Sequence, residues 1–232
     1  MKRPPLVKIC CIANVDEARR AQAAGAAALG LVSQMPSGPG VVTDEVIAQV
    51  ATAVRGEAVR TFLLTSGTTA QSIAAQHAQA GTTTLQLVDH LPLPELKLLR
   101  QLCPGVELVQ VIHVLDASSV NEALAVAPWV DALLLDSGNP QLAVKELGGT
   151  GRTHDWDVSR RIRDAVFPLP LWLAGGVRSH NVVQAITTVQ PFGLDLCTGV
   201  RSNGQLDDSK LAAFMAAVRA AAEGDPPAAN GR

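Results

Sequence analysis

Asp131-Ala-Leu-Leu-Leu-Asp136 and Leu169-Pro-Leu-Trp-Leu-Ala174 are apolar almost without interruption. A strand with one wet face alternates polar and apolar residues. A strand covered on both faces need not, and parallel strands beneath helix layers are of this second kind. Working outward, similar short runs recur at 6–12, 27–33, 59–64, 83–88, 106–114 and 192–197. Longer Ala-rich amphipathic stretches lie between them, near 15–24, 43–55, 68–79, 92–102, 117–127, 156–166 and 179–188, with a last one near 207–222. Eight strand–helix units in 232 residues leave roughly 29 residues each, which suits a β-α-β crossover. The expected fold is α/β: a single (β/α)8 TIM barrel over residues 1–222, with a Pro/Gly-rich, flexible tail at 223–232. The rival is an open, doubly wound sheet, and the count of eight and the polar or glycine residues at strand ends favour the barrel. Local signals agree. Thr43 stands before Asp44 and Glu45 as a helix start, Ser179 or Asn181 caps the helix after strand seven, and Gly25 and Gly81 fall where helices stop.

Composition narrows the function classes. A chain that is 47% hydrophobic and 17% charged buries a core and is neither disordered nor fibrous. With 19 Lys+Arg against 21 Asp+Glu it has no basic surplus for a phosphate backbone, so nucleic acid is not an expected partner. Aromatics are 3% and Tyr is absent, which removes stacking platforms as well. No apolar run reaches membrane-spanning length, and the opening segment reads as a strand because Lys8 interrupts it and Asn14, Asp16 and Glu17 follow. The cysteines are Cys10, Cys11, Cys103 and Cys197, with no C-x-x-C pair, and two adjacent thiols are ill suited to share a metal. The expectation is a cytoplasmic protein with reduced thiols, no disulfide framework and no metal. Monomer and homodimer both remain open.

In a barrel the loops after the strands build the site. Two strand ends carry chemistry: a thiol at Cys10 and a carboxylate at Asp136. Alternation places Lys8 and Cys10 on one face, with Asp195 and Cys197 of the same parity on strand eight, so Lys8 is expected to meet Asp195 inside the barrel. Taken singly, Cys10 also reads as a small buried hydrophobe and Asp136 as an Asx turn with Ser137 and Gly138. Residues 137–155 form a long Gly-rich loop, read as a mobile lid or as a disordered insertion. Ala174-Gly-Gly-Val177 and Thr198-Gly-Val-Arg201 follow strands seven and eight, where barrels frequently bind phosphate. Gly175, Gly176, Thr198, Gly199 and Val200 are the candidate anion cradle. Turn-forming glycine is the alternative. His113 lines the pocket or is a satisfied core histidine.

Val7-Lys-Ile-Cys10, Leu133-Leu-Leu-Asp136, Gly148-Gly-Thr-Gly-Arg-Thr-His-Asp-Trp156, Leu173-Ala-Gly-Gly-Val177 and Asp195-Leu-Cys-Thr-Gly-Val200 together resemble the phosphoribosylanthranilate isomerase family, in its order and from end to end. The resemblance implies a (β/α)8 barrel catalysing an Amadori rearrangement in tryptophan biosynthesis. It needs neither metal nor organic cofactor, and its partner is a phosphorylated sugar substrate. It implies Cys10 as general base, Asp136 as general acid, and the glycines at 175, 176 and 199 in the phosphate loops. Lys8, Gln86, His113, Gly149, Arg152 and Arg201 are expected to line the pocket or lid. Four departures stand out. Cys11 occupies the place of a family glycine, and Ser37-Gly-Pro-Gly40 lacks the arginine of the family's Ser-Pro-Arg. Gln86-Leu-Val-Asp89 replaces Gln-Leu-His-Gly, and Cys197-Thr-Gly-Val-Arg201 replaces Ser-Ser-Gly-Val-Glu. Arg201, Arg152 or Arg60 is then expected to meet the substrate carboxylate. The alternatives are a barrel enzyme acting on another phosphorylated sugar amine or aldose, and a non-catalytic phosphate-ligand-binding paralogue.

Overall fold

Eight runs of apolar residues become eight strands in the computed structural model, which describes residues 3–149 and 151–223; most of the expected tail lies outside them. They are β1 (Leu6–Ile9), β2 (Ala28–Val32), β3 (Arg60–Thr65), β4 (Thr84–Leu87), β5 (Glu107–His113), β6 (Ala132–Asp136), β7 (Leu171–Leu173) and β8 (Gly193–Leu196). They close in sequence order, all neighbours parallel, with β1 hydrogen-bonded to β8. The helices are α1 (Val15–Ala23), α2 (Asp44–Ala53), α3 (Ala70–Ala80), α4 (Leu93–Leu102), α5 (Ser119–Val126), α6 (Trp156–Val166), α7 (Val182–Val189) and α8 (Asp208–Glu223). Each follows its strand, so the closed barrel is the fold and the open sheet is excluded.

Two apolar layers result from strand parity. Outward residues such as Ile9, Leu29, Leu63, Leu85 and Leu133 pack under the helices. Inward residues such as Ala28, Phe62, Val109, Leu134 and Trp172 fill the barrel. Phe62 and Trp172 meet edge to face at 5.7 Å, and Gly193 leaves the space that the Trp172 ring occupies, since a Cβ there would lie 2.3 Å from it.

The caps partly follow expectation. Thr43 accepts from the Val46 amide, and Gly81 ends α3 at a φ of +62°. Asn181 precedes α7 but makes no side-chain cap. Its Oδ1 accepts from the Arg178 amide at 2.7 Å and its Nδ2 donates to the Gly176 carbonyl at 3.0 Å, so it ties down the loop after β7 instead.

Candidate active site

β1 delivers Lys8 and Cys10 to the barrel interior because they share parity, and β8 brings Asp195 opposite Lys8 in register. The Lys8 ammonium donates to Asp195 at 2.8 Å, and Lys8 is fully buried, 5.1 Å over the Phe62 ring. Burial alone works against the Lys8 charge. Asp195, Cys10 and Asp136 outweigh it, and the ammonium is held above its ordinary range.

Cys10 and Asp136 line one cavity at the C-terminal mouth, together with Gln86, Asp195 and the loops after β2, β6, β7 and β8. Gly30 of β2 makes room for the thiol: a Cβ there would stand 2.7 Å from the sulfur and 3.0 Å from the Cys10 backbone. Burial pushes the Cys10 thiol up to about 11, with Lys8 acting only partly in the other direction. Desolvation of the thiolate is the larger effect. Burial also raises the Asp136 carboxyl, against the Ser137 amide that donates to it at 2.7 Å.

The Gly-rich segment lies across this mouth. Leu147 is buried in the cavity wall, beside Gly148, Gly149 and Gly151. Glu146 donates its amide to the Asn139 carbonyl, Ser37 Oγ donates to the Lys145 carbonyl, and Lys145 pairs with Asp89 at 2.5 Å. Thr150 lies outside the described residues. The cavity is about 70 Å³. Pockets for substrate-sized ligands begin at roughly 300 Å³, so the loops leave only a narrow space at the mouth.

The other candidates sort by position. Gly175, Gly176, Thr198 and Gly199 line the cavity, whereas Val200 is fully buried behind it. Gly176 is required twice, by its φ of +65° and because a Cβ would lie 2.7 Å from the backbone of Arg152 and Thr153. His113 is a buried core histidine whose Nε2 lies 3.0 Å from the Val88 carbonyl, and it is not among the cavity walls. His154 bonds Ser159, and burial lowers its pKa to about 4; Asp155 caps α6.

None of the three arginines expected to face a substrate carboxylate is free for it. Arg201 is buried, pairing with Glu17 at 2.9 Å and donating to the carbonyls of Cys10, Cys11 and Gly204. Its fork fastens β8 to β1, and burial of Glu17 is outweighed by Arg201 and two backbone amides, which hold that carboxyl low. Arg152 pairs with Glu146 on the outer side of the loop, and Arg60 pairs with Glu107 at the opposite end of the barrel.

Two features escaped the sequence reading. Cys11 and Cys197 are joined as a disulfide, which corrects the expectation of reduced thiols throughout; Cys10 and Cys103 are free. Arg178, next after Gly-Gly-Val177, puts a guanidinium nitrogen 3.4 Å from where a Gly151 side chain would begin, and Thr198 Oγ1 is 3.5 Å from the same point. The described cations nearest the mouth, Lys8, Lys145, Arg152 and Arg201, each have a carboxylate; Arg178 has none among the described residues. Its position directly after a Gly-Gly strand end was the available signal.

A closed parallel barrel with a thiol, a carboxyl and three glycine loops around one mouth defines a (β/α)8-barrel enzyme. Residues 7–217 match the family model described as N-(5'phosphoribosyl)anthranilate (PRA) isomerase. An N-(5'-phosphoribosyl)anthranilate isomerase of Haloferax volcanii is 35% identical over 93% of this chain and 93% of its own length. One of Thermosynechococcus vestitus is 32% identical over 90% and 87%. The chain belongs to the phosphoribosylanthranilate isomerase family of tryptophan biosynthesis. Among solved structures, the Thermotoga maritima enzyme superposes with a TM-score of 0.78 at 24% identity, covering 93% of this chain and 98% of that one. A family structure in complex with reduced 1-(o-carboxyphenylamino)-1-deoxyribulose 5-phosphate gives 0.75 at 23%, with the same coverage. Among the described residues no helix is long and apolar enough to cross a membrane.

Proposed function

We propose that this chain converts N-(5-phosphoribosyl)anthranilate to 1-(2-carboxyphenylamino)-1-deoxyribulose 5-phosphate, with Asp136 as general acid and Cys10 as general base. The observation that carries this reading is their shared cavity, bordered by the glycine loops after β6, β7 and β8. Asp136 protonates the furanose ring oxygen, the C1–O bond breaks, and the anthranilate nitrogen becomes an iminium. The Cys10 thiolate then takes the C2 proton, and the enolamine tautomerises to the ketone. Gly175, Gly176, Thr198 and Gly199 hold the phosphate through backbone amides and a hydroxyl, away from the reacting carbons. The direct test is loss of substrate fluorescence with freshly made phosphoribosylanthranilate. Consumption supports the reading. No consumption by folded protein that still binds phosphate favours a second reading, another phosphorylated sugar amine, which the absence of a cation in Ser37-Gly-Pro-Gly40 makes specific.

Arg178 supplies the net charge that backbone amides lack. Arg178→Ala is expected to raise KM by roughly tenfold to a hundredfold with kcat little changed, the cost of one charge-assisted hydrogen bond. An unchanged KM removes it from the phosphate site.

The pH profile follows from the two raised groups. Turnover needs a thiolate at Cys10 and a proton on Asp136, whereas a thiol near 11 keeps its proton at neutrality. Below that pH and above the Asp136 pKa, the productive form differs from the main one only by moving a proton from sulfur to carboxyl. Its fraction is therefore independent of pH. kcat/KM is expected to stay flat between the Asp136 pKa and about 11. It falls on the acid side as Asp136 protonates in the unproductive form, and again above about 11. A rise of about tenfold per pH unit through the alkaline range means the thiolate alone limits the rate, and removes Asp136 as acid.

A further inference from the structure

The two departures at Cys11 and Cys197 are one feature in space. Cys11 follows Cys10 two residues beyond the end of β1, and Cys197 opens the loop that carries Thr198 and Gly199. Their Cα atoms are 5.9 Å apart across the seam where the first strand meets the last, 186 residues away in sequence. Cys11 adopts a φ of +63°, a left-handed conformation that a side chain disfavours and that a covalent tie helps to hold. Around it the packing is close: a Cβ on Gly40 would lie 2.4 Å from the Cys11 Cβ, and Arg201 takes the Cys11 carbonyl. Cys11 is buried and Cys197 half-buried, and both line the cavity, so a small thiol entering the mouth meets the pair.

We infer that Cys11 and Cys197 form a thiol–disulfide modification site that sets how firmly the chain grips the phosphate of its ligand. Oxidised, the bond fastens the loop after β8 to the strand that carries Cys10. Reduced, the loop and the left-handed turn at Cys11 lose their tie. The reductant is a dithiol. One of its thiolates attacks the Cys197 sulfur, the S–S bond breaks, and Cys11 leaves as a thiolate that takes a proton. The second dithiol sulfur displaces Cys197 from the mixed disulfide, so two electrons and two protons pass to the protein and the reductant ends as a cyclic disulfide. A low-molecular-weight disulfide reverses the reaction. Disulfides in reducing compartments are typically of this reversible kind. The site itself is independent of the isomerase assignment; its effect on ligand grip rests on the phosphate cradle proposed above.

The experiment uses the full chain equilibrated with oxidised glutathione or with dithiothreitol, then unfolded and alkylated with iodoacetamide for mass measurement. Of the four cysteines, two are expected to label after the oxidant and all four after the reductant. Inorganic phosphate affinity, read from the ligand-induced shift of the thermal midpoint, is expected to weaken about tenfold on reduction. KM for phosphoribosylanthranilate should move in parallel, and Cys197→Ser and Cys11→Ser should show the weaker value whatever the reagent. Four labels after the oxidant overturn the proposal, as does equal phosphate affinity in the two states. Phosphate binding absent from both states overturns the cradle itself, a different result from equal binding.

Discussion

Cys10→Ala and Asp136→Asn each lower kcat by about three to four powers of ten, with thermal stability and inorganic phosphate affinity close to those of the parent chain. The size of the effect follows from the composition of the cavity. Among the described residues that line it, Cys10 supplies the one free thiol, since Cys11 and Cys197 are joined. Of its two carboxyls, Asp195 already accepts from the Lys8 ammonium at 2.8 Å, whereas Asp136 accepts from the Ser137 amide and burial raises its pKa. The two losses differ in kind, and deuterium at C2 of the sugar separates them. Asp136→Asn makes ring opening slowest, so C2 deuteration leaves the residual rate unchanged. Cys10→Ala makes proton removal slowest, so the same label slows the reaction. Either variant turning over within about tenfold of the parent rate refutes its assignment.

Asp195→Ala costs about 3–5 kcal/mol of folding stability, the range for stranding one member of a buried ion pair. Lys8 has no exposed surface, and Asp195 is its ion-pair partner. Without that carboxylate the lysine loses its proton in the folded state, so its folded pKa falls below its unfolded value. The penalty is then largest at low pH and shrinks as pH approaches the unfolded lysine value near 10.4, where both states release the proton. Urea unfolding at several pH values measures this directly. The pair Lys8→Met with Asp195→Leu restores most of the stability, because apolar groups of similar volume replace a desolvated ion pair without leaving a charge behind. A loss below about 1 kcal/mol for Asp195→Ala, or a penalty that does not change with pH, rules out a closed buried pair.

Much of this architecture is legible in the chain. Eight apolar runs are enough to predict eight strands, because both faces of a parallel strand are covered and the run itself is the signal. Alternation then separates Lys8 and Cys10 from Ile9, and the same rule on β8 predicts the Lys8–Asp195 contact that the register delivers. Strand ends nominate Cys10 and Asp136, since their place in a barrel depends on topology alone. The arginines resist this treatment. A guanidinium sits at the end of a long flexible stem, and its partner is set by which loops the closed barrel brings within reach. Arg201 therefore meets Glu17 from the far end of the chain, while Arg178 reaches the glycine loop at Gly151.

Periodicity, then, sufficed for the elements, their order and the inward or outward sense of each strand residue, because these depend on neighbours within a few positions. Closure of β1 onto β8 decided the rest. It made Cys11 and Cys197 a pair across 186 residues, folded the glycine segment over the mouth, and removed enough water from Cys10 for burial to outweigh the nearby lysine. Contacts between distant segments and the dielectric around a buried group are properties of the assembled barrel, and no local stretch of chain contains them.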